Sequence, residues 1–221
     1  MQESCIQCGR SMVEMLGVLS IIGVLSIGGI AGYSKAMKVY RINKTMSDTA
    51  FMVSGIKMTY QNQPDYSGIS ANLILNAKLL PKNISYSQDS SGNVVLNNYF
   101  GGKMNIMAGD LAETNDDKAF VITYTNLPRE ACVKLILAEW GGNTTLIAEQ
   151  AKGTSSVSDL TSPEIKNSAA AYEGCNGSIN EGNIIACIHG ITLKAPPTVA
   201  IANLGCKCYK TNTCSVALKF Q

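Results

Sequence analysis

The N-terminal part of the chain is dominated by an uninterrupted apolar run. No charged residue occurs between Glu14 and Lys35, and the residues between them are rich in Ile, Leu, Val and Gly. A helix of about 20 residues, rising ~1.5 Å per residue, crosses a hydrocarbon core of ~30 Å. The pattern therefore predicts a hydrophobic membrane helix over residues 10–34.

The apolar run continues into a segment with helical periodicity. Apolar or small residues recur at alternating steps of four and three, which places them on one face of a helix. These positions are Ile42, Met46, Thr49, Val53, Ile56 and Tyr60. The opposite face carries Lys38, Arg41, Lys44, Asp48 and Lys57. We therefore predict that the same helix continues as an amphipathic half through residues 35–62, stops before Pro64, and supports a globular head at residues 63–221.

Shorter helices and strands are predicted in the head. The β-branched and aromatic run Ala119–Thr125 predicts a buried strand, and Pro128 predicts the start of a helix at Arg129–Trp140. The polar stretch at residues 87–93 predicts a loop. Further helices are predicted at Ser70–Leu80 and Thr198–Leu204, and further strands at Val94–Leu96, Met104–Met107, Thr144–Ala148, Ile191–Leu193 and Ser215–Phe220. Together they predict an α+β head in which helices pack on an antiparallel sheet.

Length and charge exclude some classes of protein. A chain of 221 residues accommodates one membrane helix and one globular domain of ordinary size. The formal net charge is +2 and only 15% of the residues are charged. Because the sequence has no basic stripe, we expect no nucleic-acid partner.

Catalytic chemistry is not indicated by the sequence. His189 is the only histidine, and a lone histidine beside a predicted strand is more often structural than a general base. The sequence contains no nucleophile elbow, no glycine-rich phosphate loop and no helical histidine pair. We therefore expect no catalytic residue and no cofactor.

The eight cysteines fall into two groups. Cys5 and Cys8 lie near the start of the chain. The other six, all in the C-terminal half, are Cys132, Cys175, Cys187, Cys206, Cys208 and Cys214. An even set confined to the part outside the membrane indicates disulfides formed in an oxidising compartment. The alternative is a zinc site made by Cys206, Cys208 and Cys214, although this spacing is not a strong zinc pattern.

The residues around the start of the apolar run match a known processing signal. Gly9 is followed by Ser11, by Glu14 and then by the apolar helix. This arrangement resembles the prepilin signal of type IV pilins and type II secretion pseudopilins. The resemblance implies that a prepilin peptidase cuts between Gly9 and Arg10, which removes a leader at residues 1–9 and leaves Arg10 as an N-methylated N-terminus. It also implies that Glu14 pairs with the N-terminal amine of a neighbouring subunit. Arg10 departs from the bulky apolar residue that is usual in the family.

A second segment resembles one particular class of type IV pilins. Residues 118–136, KAFVITYTNLPREACVKLI, are similar to the strand-then-helix segment of type IVb pilins, whose helix carries the first cysteine of a long disulfide loop. Cys132 matches that position. The family pattern implies Cys206 as its partner, with Cys208 as the next choice. The further disulfides that we predict are Cys175–Cys187 and Cys208–Cys214.

The resemblance to type IVb pilins implies a function. It implies a structural pilus subunit, held in the bacterial inner membrane as a single-pass protein and then polymerised through its N-terminal helix into an extracellular filament. The implied partners are further copies of the chain, the prepilin peptidase, and the pilus assembly platform with its ATPase. Contacts with host cells or sister pili would serve adhesion, aggregation or conjugation.

Two alternative functions remain open. One is a type II secretion pseudopilin or a minor tip pilin. Pseudopilins often bind calcium, and Asp116 and Asp117 are the candidate ligands. The other is a membrane-anchored extracytoplasmic binding domain that never polymerises.

Overall fold

The computed structural model describes residues 12–109, 117–140, 144–149, 192–193, 199, 202–203, 206 and 213–221. The helices are α1 (Met12–Tyr60), α2 (Ala71–Asn76) and α3 (Arg129–Leu137). The strands are β1 (Tyr86–Gln88), β2 (Val94–Asn97), β3 (Lys103–Gly109), β4 (Ala119–Pro128), β5 (Thr144–Glu149), β6 (Thr192–Leu193) and β7 (Thr213–Phe220). The chain divides into two compact units, residues 1–41 and residues 42–221.

The predicted long N-terminal helix is present, and it ends two residues before its predicted end at residue 62. α1 is one continuous helix of 49 residues. It ends at Tyr60, whose carbonyl accepts a hydrogen bond from the Gln63 N–H (2.9 Å) in the turn before Pro64. Residues 12–41 of α1 belong to the first unit, and residues 42–60 open the second.

The second half of α1 buries one face in the head. The positions predicted for this face are Ile42, Thr49, Val53 and Ile56, which are buried, and Met46 and Tyr60, which are partly buried. The prediction of an apolar face is therefore confirmed. The prediction for Asp48 is wrong, because this residue is only 4% exposed and lies on the buried face beside Thr45 and Met52.

The strands form a seven-stranded antiparallel sheet within the described residues. The strand order is β1-β2-β3-β4-β7-β5-β6. In the ladder between β4 and β7, Phe120 lies opposite Phe220 and Ile122 lies opposite Leu218. β7 also pairs with β5 on its other side. The last strand of the chain therefore lies inside the sheet rather than at its edge.

β4 and β7 are buried on both faces of the sheet. On one face, Phe120 and Leu218 belong to the main core, which also contains the buried residues of α1. On the other face, Val121 and Ala217 are fully buried, and Met107 packs against them among the described residues. A strand covered on both faces selects apolar or β-branched residues at successive positions, which explains the near-continuous apolar run in β4.

The predicted strands are present, and one further strand was not predicted. The predicted loop at residues 87–93 is wrong for its first two residues, because Ser87 and Gln88 pair with β2 as part of β1. Asp89 closes this hairpin, since its carboxylate accepts hydrogen bonds from the backbone N–H groups of Ser91 (2.8 Å) and Asn93 (2.9 Å).

α2 is shorter than predicted. It begins after Ser70, whose hydroxyl accepts a hydrogen bond from the Leu73 N–H (3.3 Å). It ends at Asn76 rather than at Leu80. Lys78 has a φ of 57°, a left-handed conformation that ends a helix.

α3 also ends earlier than predicted. Its last residue is Leu137 rather than Trp140. Ala138 is extended, and the Trp140 indole N–H donates a hydrogen bond to the Leu135 carbonyl (2.9 Å), which caps the end of the helix. The predicted helix at residues 198–204 lies mostly outside the described residues, of which 199, 202 and 203 are helical.

Candidate assembly site

The first half of α1 presents a large apolar surface. Every residue from Met12 to Ala36 is exposed. The large apolar side chains between Met12 and Tyr33 have exposed fractions between 46% and 84%. α1 is the one helix in the described residues that is long and apolar enough to cross a membrane. A continuous apolar surface of this length requires lipid or another apolar protein surface to cover it.

Five glycines interrupt this surface. They are Gly17, Gly23, Gly28, Gly29 and Gly32. Among the described residues, a Cβ atom built at any of these positions meets no atom within 4 Å, so packing against this part of the chain does not require glycine there. Each glycine costs a helix up to ~1 kcal/mol relative to alanine. Small residues allow the close approach of two helices in an apolar environment, and the glycines fit such a contact.

Glu14 lies in the first turn of α1, inside the apolar half. It is the only charged residue between positions 12 and 34. In the described part of the chain it makes no salt bridge. Burying this carboxylate in lipid or in an apolar assembly costs several kcal/mol (roughly 3 or more) unless a cation pairs with it. Gly9 and Arg10 lie outside the described residues, so processing and the pairing of Glu14 stay predictions.

A buried carboxylate attaches the second half of α1 to the head. Asp48 accepts a hydrogen bond from the hydroxyl of Tyr99 (2.5 Å), which lies in the turn between β2 and β3. Its other carboxylate oxygen pairs with the Nζ of Lys44 at 2.9 Å, one turn earlier in α1. The buried charge is therefore paired with a cation and also hydrogen-bonded.

A second polar contact joins α1 to the middle of the sheet. The Thr49 hydroxyl donates to the Thr45 carbonyl (2.7 Å), so its oxygen accepts the proton of the Tyr124 hydroxyl at 2.6 Å. Burial, together with the nearby charge of Asp48, raises the pKa of Tyr124 well above its ordinary value. Tyr124 is therefore a neutral donor at physiological pH. The only sequence signal for this contact is a polar group of Thr45, Asp48 and Thr49 within a buried helix face.

A disulfide joins α3 to the segment that precedes β7. Cys132 and Cys206 are bonded, with their Cα atoms 5.9 Å apart and a sequence separation of 74. Both residues are completely buried. The Arg129 guanidinium adds a hydrogen bond to the Asn203 carbonyl (3.3 Å). The pairing implied by the resemblance is therefore present in the structure.

Cys214 takes part in a further disulfide. It is disulfide-bonded, and its Sγ lies 3.6 Å from the carbonyl oxygen of Cys206. Because Cys132 and Cys206 bond to each other, the partner of Cys214 lies outside the described residues. Cys175, Cys187 and Cys208 also lie outside them, so the two local pairs stay predictions. The alternative zinc site is wrong, because the sulfurs of Cys206 and Cys214 are not free thiolates.

An open groove of about 370 Å³ lies at the C-terminal end of α1. It is lined by Thr59, Tyr60, Gln63, Pro64, Asp65, Ser67 and Leu73. Hydrogen bonds from Ser67 lower the pKa of Asp65, whereas burial and the charge of Asp65 raise the pKa of Tyr60. At neutral pH the carboxyl is therefore ionised and the phenol is neutral, so neither group is prepared for proton transfer.

Metal-binding clusters are absent from the described part of the chain. No three His, Cys, Asp or Glu side chains come together there in an arrangement that holds a metal ion. Asp116 and His189 lie outside the described residues. The carbonyl of Asp117 accepts a hydrogen bond from the Tyr66 N–H (2.8 Å).

Comparison with known families shows to which family this chain belongs. The family described as PilS N terminal matches residues 39–188, which is more than half of the sequence. This chain belongs to the PilS N-terminal family. The region that matches the PilS N-terminal family begins within α1 and contains β1 to β5 together with α2 and α3.

The fold of this family member is that of a type IVb pilin. A crystal structure of the type IVb pilin from Salmonella typhi superposes with a TM-score of 0.51 at 15% sequence identity. The alignment covers 81% of this chain and 97% of that pilin. At this identity the likeness establishes the fold, a long N-terminal helix with an antiparallel sheet, and the predicted α+β pilin fold is confirmed.

Two curated relatives of this PilS N-terminal chain are pilus subunits. The major structural subunit of the bundle-forming pilus of Escherichia coli O127:H6 (strain E2348/69 / EPEC) is 27% identical over 133 residues. The corresponding subunit of Escherichia coli O111:H- gives the same identity over the same length. The match covers 60% of this chain and 65% of the length of each relative.

Proposed function

We propose that this chain is a structural subunit of a type IVb-like pilus. Before assembly, the apolar half of α1 holds it in the bacterial inner membrane, and after assembly the same surface packs against other copies in an extracellular filament. The observation that carries the proposal is the exposed apolar surface between Met12 and Tyr33, in a chain that also contains a disulfide-bonded head. The type IVb pilin fold and the two pilus-subunit relatives support it.

Lipid and the interior of a filament are equivalent environments for this apolar surface. Each large apolar side chain withheld from water contributes ~1.5–3 kcal/mol, so the surface is strongly stabilised in either one. Lipid tails are as apolar as leucine side chains, and hydrophobic burial alone therefore does not favour the filament over the bilayer. The preference for the filament must come from specific contacts, and Glu14 supplies the strongest candidate in this half of α1.

Processing creates a cation that can pair with Glu14. Cleavage between Gly9 and Arg10 frees an α-amine at Arg10, and the amine of one copy then neutralises the Glu14 carboxylate of its neighbour. This pair forms only between copies in the correct axial register, so it selects the position at which a new subunit enters. The prepilin peptidase, the assembly platform and its ATPase do the chemical work, and the chain itself has a mechanical role.

The test compares the effects of replacing two carboxylates, Glu14 and Glu3, under the same conditions. The chain is co-expressed with a prepilin peptidase and an assembly machine, and its intact mass and its filament yield are measured. We expect a mass loss equal to residues 1–9, and we expect Glu14→Val to abolish filaments while the membrane level of the chain is unchanged. Glu3→Val is the matched control, because Glu3 belongs to the removed leader. Wild-type filament yield from Glu14→Val would contradict the proposed pairing.

A further inference from the structure

β1 (Tyr86–Gln88) is an edge strand of the sheet in the described part of the chain. It is the first strand in the strand order and pairs with β2 on one side only. All three of its residues are exposed, and so are Ser85 and Asp89 on either side of it. Tyr86 alone is 51% exposed. The outer side of β1 is therefore accessible to another molecule.

Two hydrogen bonds show which backbone groups of this edge point towards β2. The Asn97 N–H donates to the Ser85 carbonyl (2.9 Å), and the Asp89 N–H donates to the Asn93 carbonyl (3.0 Å). Hydrogen-bonded and non-bonded positions alternate along an antiparallel pair of strands. Ser87, which lies midway between Ser85 and Asp89, is therefore also a position that bonds to β2.

The backbone groups of Tyr86 and Gln88 point away from β2. Each residue presents one N–H and one C=O to the open side of β1, and the described part of the chain offers these groups no partner. Such an edge is a template for a further strand, and folded proteins normally protect it with lysine, proline or a bulge. β1 is short, which limits the pairing to these two residues, but residues 84–88 (ISYSQ) contain no lysine, no proline and no bulge. The edge is therefore able to pair.

We infer that β1 binds β1 of a second copy of this chain, and that this contact joins neighbouring filaments of the proposed function, on which the inference rests. The outward groups of β1 are complementary to themselves. With a two-fold axis at Ser87, Tyr86 of each strand lies opposite Gln88 of the other, and each such pair exchanges N–H···O=C bonds in both directions. Ser87 then lies opposite its own copy. No two charges face each other between residues 85 and 89.

The small number of bonds identifies the kind of partner. The contact has about four hydrogen bonds, whereas a typical protein interface has about ten. One contact of this size does not hold a free subunit or a soluble peptide on the edge. A filament repeats the same strand in every subunit, and contacts that act together bind far more tightly than one contact alone. A second filament therefore matches both the chemistry and the repeat, and the contact gathers filaments side by side into bundles.

The first test separates the backbone of β1 from its side chains. Filaments are sheared from cells that assemble them, and bundling is measured by low-speed sedimentation and electron microscopy. Gln88→Pro removes an outward N–H and no bond to β2, a position at which an edge strand tolerates proline. We expect at least fivefold less bundled filament. Gln88→Ala, which removes the side chain and keeps the N–H, is the matched control and should bundle like the wild type.

The second test uses the two-fold symmetry of the contact. Filaments of Ser87→Lys and filaments of Ser87→Glu should each stay single, because like charges directly opposite each other are unfavourable. A mixture of the two should bundle again, with at least fivefold more sedimented filament than either variant alone, because each lysine then faces a glutamate. The same substitutions at Ser91, which is exposed in the turn after β1, are the control. Each Ser91 variant should bundle by itself like the wild type.

The outcomes separate this inference from the proposed function. If the wild-type chain forms no filament, the proposed function fails and the inference fails with it. If wild-type filaments form but stay single, or if Ser87→Lys filaments bundle as the wild type does, the proposed function stands and the inference about β1 is wrong. Equal bundling of Gln88→Pro and Gln88→Ala filaments overturns it as well. If Gln88→Pro misfolds, the mixing experiment at Ser87 alone decides.

Discussion

Removal of the Cys132–Cys206 disulfide should strongly destabilise the head. The two cysteines are separated by 74 positions. Cross-linking a loop of this length removes about 15 cal/mol/K of entropy from the unfolded chain, which corresponds to about 4.5 kcal/mol at 25 °C. A further disulfide inside the loop would shorten it, but halving the loop lowers this contribution by only about 0.6 kcal/mol.

A double-mutant cycle isolates this contribution. Cys132→Ala and Cys206→Ala each break the bond, so the second substitution removes only one more buried sulfur. We expect each single variant to lose about 5.5 kcal/mol, of which about 1 kcal/mol comes from the small cavity. The double variant should then lose about 6.5 kcal/mol, and the sum of the single effects should exceed it by about 4.5 kcal/mol.

The assay is equilibrium denaturation of the full chain in detergent under non-reducing conditions. Trp140 is the only tryptophan, and its ring packs edge-on against Phe220 with centroids 6.2 Å apart, so its fluorescence reports unfolding of the head. If the sum of the two single losses exceeds the loss of the double variant by less than about 1 kcal/mol, the reasoning from loop entropy is refuted.

Two further substitutions test close contacts in the head by the same assay. Gly102→Ala would place a Cβ 2.0 Å from the Thr125 carbonyl oxygen, and we expect a loss of about 3 kcal/mol. Gly92→Ala is its control, since Gly92 has a positive φ but open space around it, and should lose about 1–2 kcal/mol. Tyr124→Phe removes the hydrogen bond to Thr49 and should lose about 1 kcal/mol. Equal losses at the two glycines, or an unchanged Tyr124→Phe variant, would contradict these contacts.

The parts of the fold that the sequence predicts are those with a local pattern. α1 is predictable because its apolar run and its spacing from Ile42 to Tyr60 both have helical periodicity. β4 is predictable because its first seven residues are almost all β-branched, aromatic or otherwise apolar. The ends of α2 and α3 are not predictable in this way, since they depend on the backbone of Lys78 and on the side chain of Trp140.

Most features of the fold that the sequence does not predict depend on contacts between segments that are distant along the chain. Asn98 donates to the Thr125 carbonyl (2.6 Å) and accepts from the Gly102 N–H (3.1 Å), which ties the turn after β2 to a bulge in β4. No local pattern brings these residues together. The position of β7 between β4 and β5 also follows from pairing across the whole head.

The candidate assembly site, like the fold, has some features that the sequence predicts and others that it does not. Glu14 and the apolar half of α1 are evident from the sequence pattern, and the family resemblance implies the partner of Cys132. The sequence pattern predicts the wrong face for Asp48, because a charged residue in an amphipathic helix normally lies on the face that contacts solvent. Its burial depends on Tyr99, which is 51 residues away in the sequence.

Electron microscopy of filaments sheared from cells that express the chain with its assembly machine, combined with mass spectrometry of their subunit, tests the central claim most directly. The account predicts long filaments made chiefly of this chain, each copy beginning at Arg10 and carrying the Cys132–Cys206 disulfide. A chain that stays in the membrane fraction as a monomer, with its first nine residues intact, would contradict it.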